Sequence, residues 1–342
     1  MDCPEYANVT LAMLRIPFAG LMCLKRLSRS FDEHKTAVPE ELRRIVVQFV
    51  SLTVLEQSDK PLIANHPTGW GDWGCVTVKH GMAIAERISV GYKVNLWTST
   101  GSPVSRKIVP SHGDDNTYTG TTFFVADSCD DCFFAVSYCE FKHLLRILKI
   151  PLDVNEDDGY EKIVLRWKAA RHHPVVAVKK CHRFIFVLFC GEKFTLNWID
   201  VSYGAFSKAH NGSVILGRDM PKAFDVRMNP DNGQYEVDIL SSMSHYIISL
   251  SETGSLIKQT RLDLEGFKDV LRATFTRLCD DLICIHRERA NTFPPTSELK
   301  LASLCPGSVE DIHSMSGDSR GQILKIIRRS ATSVFIISFK YN

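Results

Sequence analysis

Residues 224–240, FDVRMNPDNGQYEVDIL, form the most clearly defined structural element in the sequence. Apolar and polar residues alternate in segments 224–228 and 234–240, a period of two that is typical of strands with one buried face. The intervening Asn229-Pro-Asp-Asn-Gly233 is rich in residues that favour tight turns. The sequence therefore predicts an antiparallel hairpin at this position.

Apolar runs on both sides of this hairpin extend the β-sheet prediction. Many of them are short, bounded by turn residues and rich in β-branched and aromatic side chains, as strands are. Three strands of a meander are predicted at 175–180, 183–190 and 193–201. Further strands are predicted at 88–97, 121–126, 132–139 and 333–339.

Other segments carry apolar residues at helical spacing. Leu11, Leu14 and Phe18 recur at such intervals and predict an amphipathic helix over 9–30. Pro39 is suited to the first turn of a second helix. Further helices are predicted at 160–171, 264–288 and 321–329. Because helices and strands are grouped rather than alternating, the predicted fold class is α+β. It has amino-terminal helices, a predominantly antiparallel sheet in the middle and carboxy-terminal parts, and interspersed helices.

The chain has 342 residues, of which 44% are hydrophobic and 23% charged, and this balance excludes wholesale disorder. A polar, acidic segment around 153–159 suggests a division into an amino-terminal helical and mixed region, 1–155, and a second region, 156–342. The second region would contain a basic helix, a β-meander and the last helix and strand. One continuous domain is the alternative.

The eleven cysteines are odd in number and scattered, which favours reduced thiols over a disulfide framework. Asp2 and Glu5 stand where a secretory signal would carry positive charge. The apolar stretch 11–24 is short for a transmembrane helix and contains Arg15. We therefore expect an intracellular protein, cytoplasmic or nuclear, without a transmembrane segment.

Charge is segregated along the chain although the formal net charge is only +2. Residues 111–161 contain eleven acidic and three basic residues, whereas residues 162–193 contain eight basic residues and one acidic residue. A basic helix beside a basic, aromatic sheet would suit phosphates and unstacked bases. The candidate phosphate contacts are Lys162, Arg166, Arg171, Lys179, Lys180 and Arg183.

The function expected from this segregation is a non-enzymatic nucleic-acid-binding or structural and assembly protein. The expected partner is an anionic polymer, RNA rather than DNA, and self-association is a further expectation. Pairing of the basic residues with the acidic block at 153–161 is the competing interpretation. A peripheral membrane or shell protein that uses the amino-terminal amphipathic helix is another alternative.

Two histidine–aspartate combinations provide an enzymatic alternative. His66 and Asp72 flank a glycine-rich segment, and His112 and Asp114 lie in a polar one. Either could supply a general base and a carboxylate for a hydrolase or transferase, with or without a bound metal. No P-loop, GxGxxG, GxSxG or HExxH motif is present, so a non-enzymatic protein is favoured.

Four residues have a spacing that approaches that of a zinc site: Cys129, Cys132, Cys139 and His143. The apolar segment between the second and third cysteines is predicted to be a strand, and it would hold those cysteines too far apart to share one ion. The sequence therefore predicts no cofactor, with this zinc site as the alternative.

Overall fold

The computed structural model describes residues 6–15, 54–57, 63–67, 73–79, 81–88, 91–98, 103–110, 122–127, 131–139, 144–152, 162–163, 175–202, 211–279, 282–289, 296–314, 321–330 and 333–341. Every regular element within these ranges is a β-strand. The first three are β1 (Tyr6–Arg15), β2 (Val54–Gln57) and β3 (Ile63–Pro67).

The next twenty strands form five antiparallel meanders in which each strand pairs with the following one. We call these sheets blades 1 to 5. Blade 1 contains β4 (Trp73–Val78), β5 (Gly81–Ile88), β6 (Gly91–Thr98) and β7 (Pro103–Pro110). Blade 2 contains β8 (Thr122–Val125), β9 (Cys132–Cys139), β10 (Leu144–Pro151) and β11 (Lys162–Ile163). Blade 3 contains β12 (Val175–Cys181), β13 (Phe184–Phe189), β14 (Thr195–Asp200) and β15 (Gly212–Ile215).

The last two meanders have the same arrangement. Blade 4 contains β16 (Pro221–Met228), β17 (Tyr235–Ser241), β18 (Ser244–Leu250) and β19 (Leu256–Asp263). Blade 5 contains β20 (Val270–Cys279), β21 (Leu282–Arg289), β22 (Thr296–Cys305) and β23 (Ser308–Ser314).

Blade 6 joins the two ends of the chain. Its first strands are β24 (Gly321–Ser330) and β25 (Ser333–Tyr341), and β25 pairs antiparallel with β1. The outer positions are taken by β2, which pairs with the second half of β1, and β3, which pairs with the first half. An amino-terminal strand thus completes the carboxy-terminal sheet.

The first strand of each blade contacts the first strand of the next blade around a closed cycle. The contacts run from β4 through β8, β12, β16 and β20 to β24, and β24 returns to β4. At this last junction the Thr77 hydroxyl donates a hydrogen bond to the carbonyl of Arg328 over 3.4 Å. Six antiparallel blades whose innermost strands surround a common channel constitute a six-bladed β-propeller.

Successive blades from 1 to 6 share hydrophobic cores, which explains why some strands are apolar on both faces. All six residues of β13 are buried. Phe184, Phe186 and Leu188 pack in the core shared with blade 4, and the alternate residues Ile185 and Val187 pack in the core shared with blade 2. A strand that lies between two sheets therefore lacks the alternation of apolar and polar residues that a strand with one solvent-exposed face has.

The structure confirms the hairpin predicted from residues 224–240. Strand β16 pairs with β17, and the amide of Asn229 donates to the carbonyl of Gln234 over 2.8 Å. Gly233 has a φ of +67°, a conformation that glycine adopts without steric cost. The predicted strand at 132–139 has the bounds of β9, and the meander predicted over 175–201 corresponds to β12, β13 and β14.

The α+β prediction is wrong. Within the predicted helix at 9–30, residues 9–15 belong to β1; within 264–288 lie β20 and most of β21; and 321–329 is β24. Burial on both faces places apolar residues at consecutive positions, and such runs also contain the spacings of three and four that a helix has. Of the helix predicted at 160–171, Lys162–Ile163 is strand β11; its other residues, and the helix beginning at Pro39, lie outside the described ranges.

The predicted boundary between residues 155 and 156 also falls outside them. On its two sides, blades 2 and 3 share a hydrophobic core that includes Val136 and Val187. Among the described residues there is no helical segment with the length and hydropathy that a bilayer crossing requires.

Candidate functional site

A cavity of about 350 Å³ occupies one end of the central channel. It is lined by the last residues of the six innermost strands and by the first turns that follow them. We call this end the channel mouth. One polar lining residue from each blade marks its circumference: Thr77, Asp127, Lys179, Asp225, Arg277 and Arg328. The volume lies at the lower end of the range of ligand pockets.

Basic side chains outnumber acidic ones at the channel mouth. The lining includes five lysine and arginine residues and two aspartates. Asp225 ties three blades together, because it accepts a hydrogen bond from Lys179 Nζ over 3.2 Å and another from the backbone amide of Arg277 over 2.8 Å. Arg328 of blade 6 is exposed, across the ring from Lys179 of blade 3.

The turn between β12 and β13 carries further positive charge at the mouth. Lys180 donates a hydrogen bond to the carbonyl of His182, and its ammonium lies 5.5 Å from the centre of the Phe134 ring in blade 2. Arg183 pairs with Asp200 of its own blade, with Nε 3.0 Å from Oδ2. Burial opposes ionisation of Asp200, but hydrogen bonds from Arg183 and Ser202 outweigh it, so the pKa of this carboxyl is lowered.

A buried polar network lies behind the mouth. Arg277 Nε donates to Asp238 Oδ2 over 2.8 Å, and His245 Nε2 lies 2.9 Å from Oδ1 of the same carboxylate. The amide of Gly307 donates to His245 Nδ1 over 3.3 Å, which places the imidazole proton on the nitrogen facing Asp238. Burial opposes ionisation of Asp238, yet the bonds from His245 and Arg277 lower its pKa. Since these side chains are buried, the network holds blades 4 and 5 together.

The structure brings together three of the six predicted phosphate contacts. Lys179, Lys180 and Arg183 lie at or beside the channel mouth. Lys179 pairs with Asp225, and Arg183 pairs with Asp200. The acidic block at 153–161 lies outside the described ranges. Lys162 lies in the outer strand β11, and Arg166 and Arg171 are not among the described residues.

The predicted enzymatic pairs cannot be assembled from the described part of the chain. His66 lies in β3, an outer strand of blade 6, where its backbone is paired with Ala7. Asp72, His112 and Asp114 lie outside the described ranges.

The structure describes two of the four residues of the alternative zinc site, and it holds them apart. Cys132 and Cys139 are the first and last residues of the extended strand β9, in register with Pro151 and Leu144. Seven strand steps separate them by about 23 Å, far beyond the span of one coordination sphere. Cys129 and His143 are not among the described residues.

A histidine–serine contact in blade 5 has the composition of a nucleophile and its base. His286 Nε2 lies 2.7 Å from the hydroxyl of Ser297. Burial lowers the pKa of His286 to about 4, which makes it a weak base at neutral pH. The pair lies on the neighbouring strands β21 and β22, away from the residues that line the channel mouth. We therefore infer that this pair contributes to the stability of the fold.

This histidine gives the protein a specific pH dependence. In the unfolded chain, where the usual pKa is about 6.5, His286 takes up a proton more readily than in the folded protein. Its contribution to stability is therefore present above pH 6.5 and is lost as the pH falls towards 4. Between pH 7 and pH 5 we expect the free energy of unfolding to fall by about 2 kcal/mol more in the parent protein than in His286→Gln. Urea titrations at the two pH values measure this difference, and equal pH dependence in both proteins would contradict it.

The sequence contains a weak indication of the other charged residues at the channel mouth. Asp225 and Arg277 interrupt otherwise β-branched and apolar segments, FDV and TFTRL, that the structure buries. Charged residues inside buried strands are rare unless they are paired. The partners of these two residues come from other blades, so the sequence alone could not show which charged residues pair with them.

Comparison with known proteins finds no family model and no curated protein that matches this chain. Solved structures that resemble it include the WD40 domain of Toxoplasma gondii coronin, with 10% identity, 79% of this chain and 81% of that chain covered, and a TM-score of 0.40. The β-propeller domain of the Trilobed protease from Pyrococcus furiosus has 10% identity, 80% and 78% coverage, and a TM-score of 0.42. The Malassezia sympodialis allergen Mala s 1 has 7% identity, 79% and 93% coverage, and a TM-score of 0.45.

Proposed function

We propose that this chain is a non-enzymatic binding protein and that the channel mouth receives an anionic segment of a partner. The observation that carries the proposal is the excess of basic side chains around a cavity that all six blades line. Lys180 and Arg328 come from blades 3 and 6, so cationic groups approach the cavity from opposite sides of the ring. A concave, positively charged site concentrates anions and favours their entry.

The paired charges at the mouth support binding rather than catalysis. Lys179 is held by Asp225, and Arg183 by Asp200, so each basic group has a fixed position before a ligand arrives. Preorganised cations lose little conformational entropy on binding. His245, which contacts the carboxylate of Asp238, is buried in the network between blades 4 and 5, where no substrate reaches it.

The partner that fits this charge pattern is a polymer with closely spaced negative charges. Single-stranded RNA, the expectation from the sequence, would place phosphates at the mouth, and an acidic peptide would place carboxylates there. Both form charge-assisted hydrogen bonds with lysine and arginine. They differ in chemistry outside the anionic group, so the experiment includes each of them separately.

The test is the salt dependence of binding by the parent protein and by Lys180→Gln/Arg328→Gln. We expect the parent to bind an RNA oligonucleotide or a polyglutamate peptide, with log affinity falling linearly with log salt concentration. For RNA, the loss of two phosphate contacts lowers the slope by about 1.4, since each contact on a single strand contributes about 0.7. Fluorescence anisotropy across a salt series measures both quantities.

Lys193→Gln is the matched control. Lys193 is exposed in the turn between β13 and β14, at the end of blade 3 away from the channel mouth. The Lys193→Gln substitution removes one positive charge without changing the channel mouth. The affinity and the slope of its salt dependence should therefore remain close to those of the parent. The proposal is overturned if neither polymer binds at low salt, or if the double variant binds like the parent.

A further inference from the structure

Three side chains with different metal-binding atoms meet at the channel mouth. Asp127 follows β8 of blade 2, Cys181 ends β12 of blade 3, and His182 occupies the turn after it. One carboxylate oxygen, the thiol sulfur and one imidazole nitrogen all lie within 4.8 Å of one another. No other group of this kind is found in the described part of the chain.

The backbone holds this cluster in place. The amide of His182 donates to Asp127 Oδ2 over 2.8 Å, which orients the carboxylate of blade 2 towards the turn of blade 3. His182 has a φ of +48° and is the non-glycine residue with positive φ among the described residues. A side chain in this left-handed conformation is uncommon, and such positions are concentrated at functional sites.

The chemistry of the cluster matches a borderline-soft divalent cation. Zinc binds cysteine sulfur at about 2.3 Å and histidine nitrogen and carboxylate oxygen at about 2.0–2.2 Å. In a tetrahedron with these bond lengths the ligand atoms lie about 3.5 Å apart. The atoms of the cluster lie within 4.8 Å of one another, so side-chain adjustments of roughly 1 Å, to which the exposed His182 can contribute, would bring them to this spacing.

We propose that Asp127, Cys181 and His182 form a zinc site at the channel mouth. Three protein ligands leave the fourth coordination position of the ion for a water molecule or an anionic ligand in the cavity. The thiolate and carboxylate together neutralise the charge of the ion. The ammonium of Lys179 is bound to Asp225, and that of Lys180 donates to the backbone carbonyl of His182, which is not a ligand atom of the proposed site.

This site differs in composition from the cysteine cluster considered in the sequence. It uses none of the four residues of that cluster. It also joins residues of two blades that are more than 50 positions apart, and the propeller brings them together. The inference does not depend on the proposed binding of an anionic polymer, since the metal can be measured without any partner.

The test uses zinc content and cobalt spectroscopy on the full chain. We expect about one zinc per chain after dialysis against zinc and gel filtration. After chelation, Co²⁺ should restore one equivalent of metal and give a thiolate-to-cobalt charge-transfer band in the near ultraviolet together with visible bands of tetrahedral intensity.

Three variants each remove one ligand: Cys181→Ser, Asp127→Asn and His182→Asn. Asparagine tolerates the left-handed conformation at position 182, so this variant keeps the turn. Asparagine at position 127 keeps an acceptor for the His182 amide. Because outer-shell partners alone change metal affinity by about 10–100-fold, we expect each loss of a direct ligand to weaken zinc binding by about 100-fold or more.

Cys190→Ser is the matched control, a partly exposed cysteine of the same blade that follows β13. It should retain the metal and the cobalt spectrum of the parent. Thermal melts of the metal-free proteins show whether each variant folds, and two folded ligand variants suffice for the comparison. The proposal is overturned if the parent takes up no stoichiometric zinc or cobalt, or if the folded ligand variants bind the metal as the parent does.

Discussion

Replacement of Asp238 by alanine is expected to lower the free energy of unfolding by about 3–5 kcal/mol. The substitution leaves the guanidinium of Arg277 buried without the carboxylate that it contacts through Nε and Nη2 at 2.8 and 2.7 Å. It also removes the acceptor for His245. Removing one member of a buried ion pair costs far more than the intact pair contributes to stability, so the effect should be large for one residue. Urea denaturation at pH 7 measures it.

Asp231→Ala provides the control for this experiment. Asp231 is exposed in the turn between β16 and β17 of the same blade, and the change should alter stability by no more than about 0.5 kcal/mol. The Asp238→Asn variant keeps the size of the side chain, and its loss of stability should lie between those of Asp238→Ala and Asp231→Ala. A loss of less than about 1 kcal/mol in Asp238→Ala would show that the network does not join blades 4 and 5 as the contacts imply.

The second large effect is expected at the closure of the ring. Leu14 in β1 is fully buried and packs in a core with Leu278 of blade 5 and Val334 of blade 6. Leu14→Ala removes buried methyl groups and leaves a cavity, which costs about 2–5 kcal/mol. The urea midpoint should fall accordingly.

Leu256→Ala is the matched control, because Leu256 is 47% exposed on the outer strand β19. Its replacement should leave the midpoint nearly unchanged, within about 0.5 kcal/mol. If Leu14→Ala were as stable as this control, β1 would not be an integral strand of blade 6.

The sequence allowed strands to be recognised wherever their turns were distinctive. The hairpin around Asn229 and Gly233 combined alternation with turn residues, and both features are local. Between 264 and 288 the apolar residues Leu271, Phe275 and Leu278 have helical spacing, but in the structure Phe275 faces blade 4 and Leu278 faces blade 6. Two cores on opposite sides of one strand thus imitate the single stripe of a helix. The acidic pair at 280–281 separates the two apolar runs that form β20 and β21.

The candidate site could be predicted only in the part that one blade supplies. Lys179, Lys180 and Arg183 are neighbours in sequence, so their proximity followed from the meander. Asp127 of blade 2 contacts the turn after β12, and Asp225 of blade 4 contacts Lys179 within β12. The positions of these two aspartates depend on the order of the blades around the axis. The six blades lack a repeated sequence from which that order could have been predicted.

The strand pair that closes blade 6 also sets the order in which the fold can form. Ala7 is in register with Tyr341, so the two partners are separated by nearly the whole chain. Every other strand pairing in the described residues joins partners much nearer in sequence, the widest being that of Tyr6 in β1 with Pro67 in β3. Closing so long a loop has the largest entropic cost of any step, and high contact order slows folding. Blades 1 to 5 can form during synthesis, whereas the pairing of β1 with β25 must wait until β25 has left the ribosome.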